Sequence, residues 1–190
     1  DPIALTRALV VRIRGSGQWR HNFSDLIEEG NRKSWWMNQE NKVVKLKNLQ
    51  LLRDCPTRWD SCFKMNKRFS DMRPVSFPFP LPWFTQYALT VDEWQDLEDL
   101  NIILSVPAGV QQTMSSDRTP LLAKTLPYFE RFMTLWESLC DQVDEFAPLI
   151  QPGLDSAYKY YSKMDNTNAT SSQCVLINPH DRLSHIKQNW

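Results

Sequence analysis

Glycine, cysteine and histidine are all scarce in this 190-residue chain, which has five, four and three of them. So few glycines, in no cluster, leave no loop of the kind that cradles phosphates in nucleotide sites. The cysteines, Cys55, Cys62, Cys140 and Cys174, have no paired spacing. The step from Cys55 to Cys62 is too long for a zinc knuckle, so the four read as reduced, partly buried thiols. His180 and His185 fall off a common helix face and make a poor metal pair. With no G-x-S-x-G elbow and no Cys–His pairing, nucleophilic catalysis has little support. No apolar run reaches the ~18 residues of a membrane-spanning helix. An excess of one charge is also lacking: 22 Lys and Arg balance 22 Asp and Glu. That excludes simple polyelectrolyte binding by the chain as a whole.

Apolar and aromatic residues are plentiful: the chain is 42% hydrophobic and 12% aromatic, with eight Trp. This is the composition of a globular protein. The balanced charge hides an asymmetry. Residues 1–75 carry 15 basic and 8 acidic side chains, residues 76–150 carry 3 and 11, and residues 151–190 carry 4 and 3. The basic part suits phosphates; equally, the basic and acidic parts suit each other. The chain opens on Asp1-Pro2, without Met or a signal segment, and reads as an excerpt of a longer one. Asn22-Phe23-Ser24 and Asn168-Ala169-Thr170 match the glycosylation pattern. Using them would require a secretory signal upstream.

Periodicity predicts a helix over Ile3–Arg14, closed by Gly15-Ser16-Gly17, and an amphipathic helix carrying Trp19, Phe23, Leu26 and Ile27, stopped by Gly30. A polar loop follows, anchored by Trp35, Trp36 and Met37. Val43–Leu52 is the best strand candidate, because Lys42, Lys45 and Lys47 interleave with Val44, Leu46 and the run Leu49–Leu52. Asp60 reads as the N-cap of a helix that ends by Pro74. Residues 76–89, with Pro78, Pro80 and Pro82 among aromatics, read as a linker.

Thr90 and Glu93 form a capping box for a helix with Trp94, Leu97, Leu100, Ile103 and Leu104 on one side. The acidic residues Asp92, Glu93, Asp96, Glu98 and Asp99 read as its solvated face rather than a metal site. Pro107 is expected to begin a new segment, and Thr119-Pro120 to start a helix bearing Leu122, Leu126, Phe129, Phe132, Met133 and Trp136. A further helix or helix pair over Phe146–Tyr161 is expected to break near Pro148 and Pro152. Asp165–Gln173 reads as a polar loop, and Cys174–Ile177 as a short apolar run. The fold class is thus α+β, predominantly α, in four parts: 1–75 with helices and one strand, a linker over 76–89, an all-α lobe over 90–163, and a loop and return segment over 164–190.

Arg53-Asp54-Cys55-Pro56-Thr57-Arg58-Trp59-Asp60-Ser61 is the segment with chemistry to offer. A strand that ends in Arg58-Trp59 presents a guanidinium for phosphate and a flat ring for an unpaired base. The structural alternative is a buried Trp59 with Arg58 paired to Asp54 or Asp60.

The stretch Leu49–Pro74, LQLLRDCPTRWDSCFKMNKRFSDMRP, resembles the hAT superfamily of DNA transposases, especially its fungal branch. Thr57-Arg58-Trp59-Asp60-Ser61 matches the superfamily's T-R-W-[ND]-S motif, and Met72-Arg73 its L-R-like pair. Similar too are Val11-Arg12-Ile13-Arg14-Gly15-Ser16-Gly17-Gln18, Leu89-Thr90 with Glu93-Trp94, Thr119-Pro120-Leu121, Leu126-Pro127 and Ile177-Asn178-Pro179. The resemblance implies a partial RNase H-like domain followed by an all-α insertion. It also implies DNA as partner, a nuclear location and a DNA-contacting role for Arg58 and Trp59, with Trp59 holding a flipped base. The three carboxylates and two divalent ions, Mg or Mn, that serve strand cleavage in the family map onto no residue of this chain. The chain is therefore expected to have no catalytic residue, no metal and no cofactor of its own, and to be a fragment or relic that contacts DNA at most. Self-association through the helical lobe is a further expectation. Departures from the family are the proline run from Pro74 to Pro82 and Trp19, where an Arg is usual. The alternative is a helical protein-interaction module with no nucleic-acid role.

Overall fold

A computed structural model describes residues 1–38, 40–55, 57–76, 85–115 and 122–165. Outside them lie most of the proline run, the Thr119-Pro120 start, Cys174, both C-terminal histidines, the second sequon and the return segment. Among the described residues the chain is predominantly α-helical, with two compact units, one over Asp1–Asn101 and one beginning at Ile102.

The first unit is built on α1 (Pro2–Arg14), α2 (Gly17–Lys33), α3 (Trp59–Ser70) and the first half of α4 (Val91–Met114). The starts of α1 and α4 have a local cause in side-chain caps. Asp1 Oδ1 accepts from the amides of Ile3 and Ala4 at 3.0 and 3.2 Å, with Pro2 in the first turn. Thr90 and Glu93 close a reciprocal box: the Thr90 amide donates to Glu93 Oε2 at 3.0 Å and the Glu93 amide to Thr90 Oγ1 at 3.2 Å. Helix α3 starts one residue before Asp60, with Arg58 at its cap position, so Asp60 is a first-turn residue and not the N-cap. Leu9, Val10, Ile13, Phe23, Ile27, Leu51, Met65, Phe69, Met72, Trp94 and Leu97 form the core. There the Trp94 ring stacks on Phe69 at 5.1 Å, and the Arg73 guanidinium lies 5.0 Å from its centroid while pairing with Glu98.

Gly30 does not stop α2, which runs on to Lys33 and ends at Ser34 in the left-handed conformation, φ 56°. Gly30 is needed for a close approach instead. The buried Trp36 ring packs against it, and a Cβ there would stand 2.5 Å from Nε1 and closer still to Cε2 and Cζ2.

The strand expected over Val43–Leu52 does not form. The described residues hold no β-strand, only isolated bridges Met37–Val43 and Cys55–Arg58, and the segment turns at Asn48, where the Leu49 amide donates to the Lys47 carbonyl at 2.8 Å. The alternation itself is real: Val44 and Leu46 pack on the core, while Lys45 and Lys47 are exposed. Side chains stand in for the missing neighbouring strand. The Asn31 amide exchanges two hydrogen bonds with the backbone of Leu46, each 2.8 Å. Asn48 donates to Ser24 and Glu28, and Arg68 to the carbonyl of Gln50 at 3.0 Å. Of the expected α+β, predominantly α class, the predominantly α part holds among the described residues and the strand does not form there; helix side chains bind backbone groups that a strand would pair.

The second unit packs α5 (Leu122–Gln142) and α6 (Ala147–Asp165) with the later part of α4 around Ile103, Met133, Phe146, Ile150, Leu154 and Ala157. Pro107 begins no new segment; it lies inside α4. Proline has no N–H for the carbonyl four residues back, here Ile103. Trp136 Nε1 supplies that donor at 2.9 Å, so the helix continues at little cost. Pro152 likewise lies inside α6, and Pro148 in its first turn, so neither breaks a helix pair. Gly153 repeats the device of Gly30, since its Cβ would meet Trp136 Cζ3 at 2.5 Å.

Candidate nucleic-acid interface

The arm over residues 43–54 is held by arginines from α1 and α3. Arg14 of α1 bonds Gln50 Oε1, and Arg68 of α3 bonds the Gln50 carbonyl. Arg7 of α1 grips Asp54 with both Nε and a terminal nitrogen, at 2.8 and 2.7 Å. The Asp54 carboxylate is only 4% exposed. Arg7 is held ionised beyond its usual range, first by that hydrogen bond and then by the Asp54 charge. Of these cations only Arg7 is neutralised by a carboxylate; Arg14 and Arg68 bond neutral groups of Gln50 and keep their charge.

Beyond Asp54 the chain turns tightly into α3. The Arg58 amide donates to the Cys55 carbonyl at 2.8 Å. Ser61 pins the turn from inside: its hydroxyl accepts from the Cys55 amide at 2.7 Å and lies 2.6 Å from the Arg58 carbonyl and 3.1 Å from that of Cys55. The exposed Cys55 thiol is held below its usual range by hydrogen bonds from Thr57, side chain and then backbone, with a smaller push from the Arg58 charge. Cys62, half-buried one turn into the helix, is pushed the other way by burial and by Asp54.

Arg58 stands exposed on this turn. It forms no ion pair among the described residues, although its charge adds a smaller pull on Asp60 to that of Lys64. Asp54 belongs to Arg7, and Asp60 accepts from Lys64 at 2.9 Å, which draws its pKa down. Arg53, Lys45 and Lys47 are likewise exposed and carry no ion pair among the described residues. The Trp59 backbone opens α3, and its side chain lies outside what the structure describes. So the turn offers a guanidinium on a fixed backbone, with a row of lysines along the arm that leads to it.

Sequence reasoning missed Arg7, Asn31 and Ser61. Ser61 carried a local signal, since a Ser in the first turn of a helix bonds back to the preceding turn. Arg7 carried none, because its partner is 47 residues away. No cluster of three or more His, Cys, Asp or Glu among the described residues could hold a metal ion, and no described helix is long and apolar enough to cross a membrane.

The chain matches no protein-family model, no curated protein and no solved structure.

Proposed function

We propose that this chain contacts DNA through its basic first unit, as a piece of an RNase H-like transposase of the hAT type, and cuts no strand by itself. The observation that carries the reading is the exposed Arg58 on a pinned turn whose two neighbouring carboxylates are already bound to Arg7 and Lys64. A guanidinium left in this state binds phosphate without first breaking an internal pair. The residue pattern around it, Thr57-Arg58-Trp59-Asp60-Ser61, supports the family reading. Trp59, directly after Arg58, is the ring we assign to an unstacked base.

The test is binding of labelled single-stranded and duplex DNA at two salt concentrations. Arg58→Ala weakens binding and flattens its salt dependence. Trp59→Ala leaves stability nearly unchanged and lowers single-strand affinity. A loss of ~3–5 kcal/mol of stability from Trp59→Ala instead assigns that ring to the core. Incubation with Mg or Mn yields no cleaved product; a metal-dependent product contradicts the proposal.

The second reading, a helical interaction module without a nucleic-acid role, rests on the exposed apolar side chains of the first unit, Val11, Leu49 and Leu52. It predicts no DNA affinity above that of a neutral control protein.

A further inference from the structure

The loop after α2 holds adjacent tryptophans with opposite fates. Trp36 is buried against Gly30, and its Nε1 donates to the Ile27 carbonyl at 3.3 Å. Trp35 stands edge-on to it, rings at 88°, and keeps 45% of its surface in water. Lys33 lies 4.8 Å from its ring centroid. The chain then turns through Asn38, whose side chain accepts from the amides of Glu40 and Lys42 at 3.0 and 2.8 Å, and returns so that Val43 faces Met37. Met37 and Val43 are 54% and 55% exposed. Alternate residues of an extended chain share a face. Trp35 and Met37 therefore lie on the outer side of one leg, and Val43 and Lys45 on that of the other, with Lys47 following. Trp36 and Val44 occupy the inner side, in the core.

Around this outer face most acidic groups are matched, and Glu28 accepts from Asn48 beside Lys47. Glu29 is matched by Lys33 at 2.6 Å and by Arg32 at 3.7 Å, and Glu40 by Lys42 at 2.7 Å. Lys45 and Lys47 remain exposed with no acidic partner among the described residues. An anchored loop that keeps an indole, a Met and a Val in water beside unmatched lysines fits an anionic ligand with flat apolar parts. A folded duplex has no free base face to offer Trp35; a single strand has one at every nucleotide.

We propose that the Trp35–Lys47 loop is a second nucleic-acid contact, specific for single strands, in which Trp35 stacks on a base and Lys45 and Lys47 hold the adjoining phosphates. This rests on the DNA-contact reading above and extends it to a site away from the Arg58 turn. Lys33 lies over the indole, and the base takes the part of the ring that is left in water. Met37 and Val43 provide an apolar floor.

The test uses the full 190-residue chain with labelled oligothymidylate and, in parallel, a duplex. Trp35→Ala lowers single-strand affinity roughly 5- to 150-fold, the range of one lost stacking contact. It leaves duplex affinity unchanged, and Trp35→Phe restores most of the loss. Lys45→Gln with Lys47→Gln reduces the slope of log affinity against log salt by about 1.4, two phosphates' worth. Circular dichroism establishes that each variant is folded. If Arg58→Ala weakens binding while Trp35→Ala binds as wild type, the loop proposal falls and the general reading stands. If the wild-type chain binds no DNA, both fall. If Trp35→Ala abolishes self-association in sedimentation and leaves DNA affinity unchanged, the face is an interface between copies and the proposal is overturned.

Discussion

A Gly30→Ala substitution sets two effects of known size against each other. In an exposed helix interior, Gly→Ala stabilises by ~1 kcal/mol, because alanine has less backbone freedom to lose on folding. At position 30 the new Cβ falls 2.5 Å from Trp36 Nε1 and nearer to two ring carbons, so the indole must leave its seat. Trp36 is 4% exposed and contributes to the first core. Overpacking of this kind costs about 1–3 kcal/mol, and a ring in direct overlap belongs at the upper end. Net destabilisation is therefore ~2 kcal/mol, once the helix gain of ~1 kcal/mol is subtracted. For a unit of this size that lowers the melting temperature by roughly 10 °C. Gly109, exposed in α4 with nothing within 4 Å of its would-be Cβ, is the internal control. Gly109→Ala is expected to stabilise by ~1 kcal/mol. In a Trp36→Ala background the sign at position 30 reverses, and alanine becomes stabilising. Thermal melts followed by far-UV circular dichroism measure all four variants. An increase in stability from Gly30→Ala in the wild-type chain would refute the packing argument.

Asp54→Asn leaves the Arg7 guanidinium without its buried carboxylate and is expected to cost about 1–3 kcal/mol in urea unfolding, moderated because Arg7 reaches water. Asn31→Ala strips two hydrogen bonds from the backbone of Leu46; amide exchange at Leu46 speeds up markedly, while that of Leu9 and Val10 in α1 is unchanged. Cys55 is exposed with its thiol acidified by Thr57, and Cys62 is half-buried with its thiol made less acidic. Iodoacetamide therefore modifies Cys55 before Cys62, and the Cys55 rate rises at lower pH than that of a free thiol, as peptide mapping across a pH series would show. Thr90→Ala opens the capping box of α4 and costs ~1 kcal/mol.

Local signals were the legible part of this fold. The α1 helix, the Thr90–Glu93 box and the apolar face of α5 depend on residues within a few positions of each other, and each appears where the pattern puts it. The imperfect alternation over residues 43–52 was legible in part: it separates Val44 and Leu46 from Lys45 and Lys47, but of the Leu-rich end expected to be buried Leu51 is buried while Leu49 and Leu52 are exposed. What alternation cannot specify is the partner for the backbone. Asn31, 15 residues away, takes the place of a neighbouring strand at Leu46, and no periodicity encodes that. Gly30 and Pro107 misled for a related reason. Both act as helix breakers when judged locally, and both are accommodated by a distant indole, Trp36 in one case and Trp136 in the other. At the candidate site, the Arg58 turn was visible from its composition. That Asp54 and Asp60 belong to Arg7 and Lys64 was not, because the competition between cations is decided by packing. The aromatic loop was visible as an anchor, but only the structure separates the buried Trp36 from the exposed Trp35.

The most direct test of DNA contact through the first unit is a hydrogen-exchange footprint of the full chain with and without single-stranded DNA. The account predicts slower exchange in peptides covering residues 33–47 and 53–61, and no change across α5 and α6. Protection confined to α5 and α6, or no protection anywhere at saturating DNA, would contradict it.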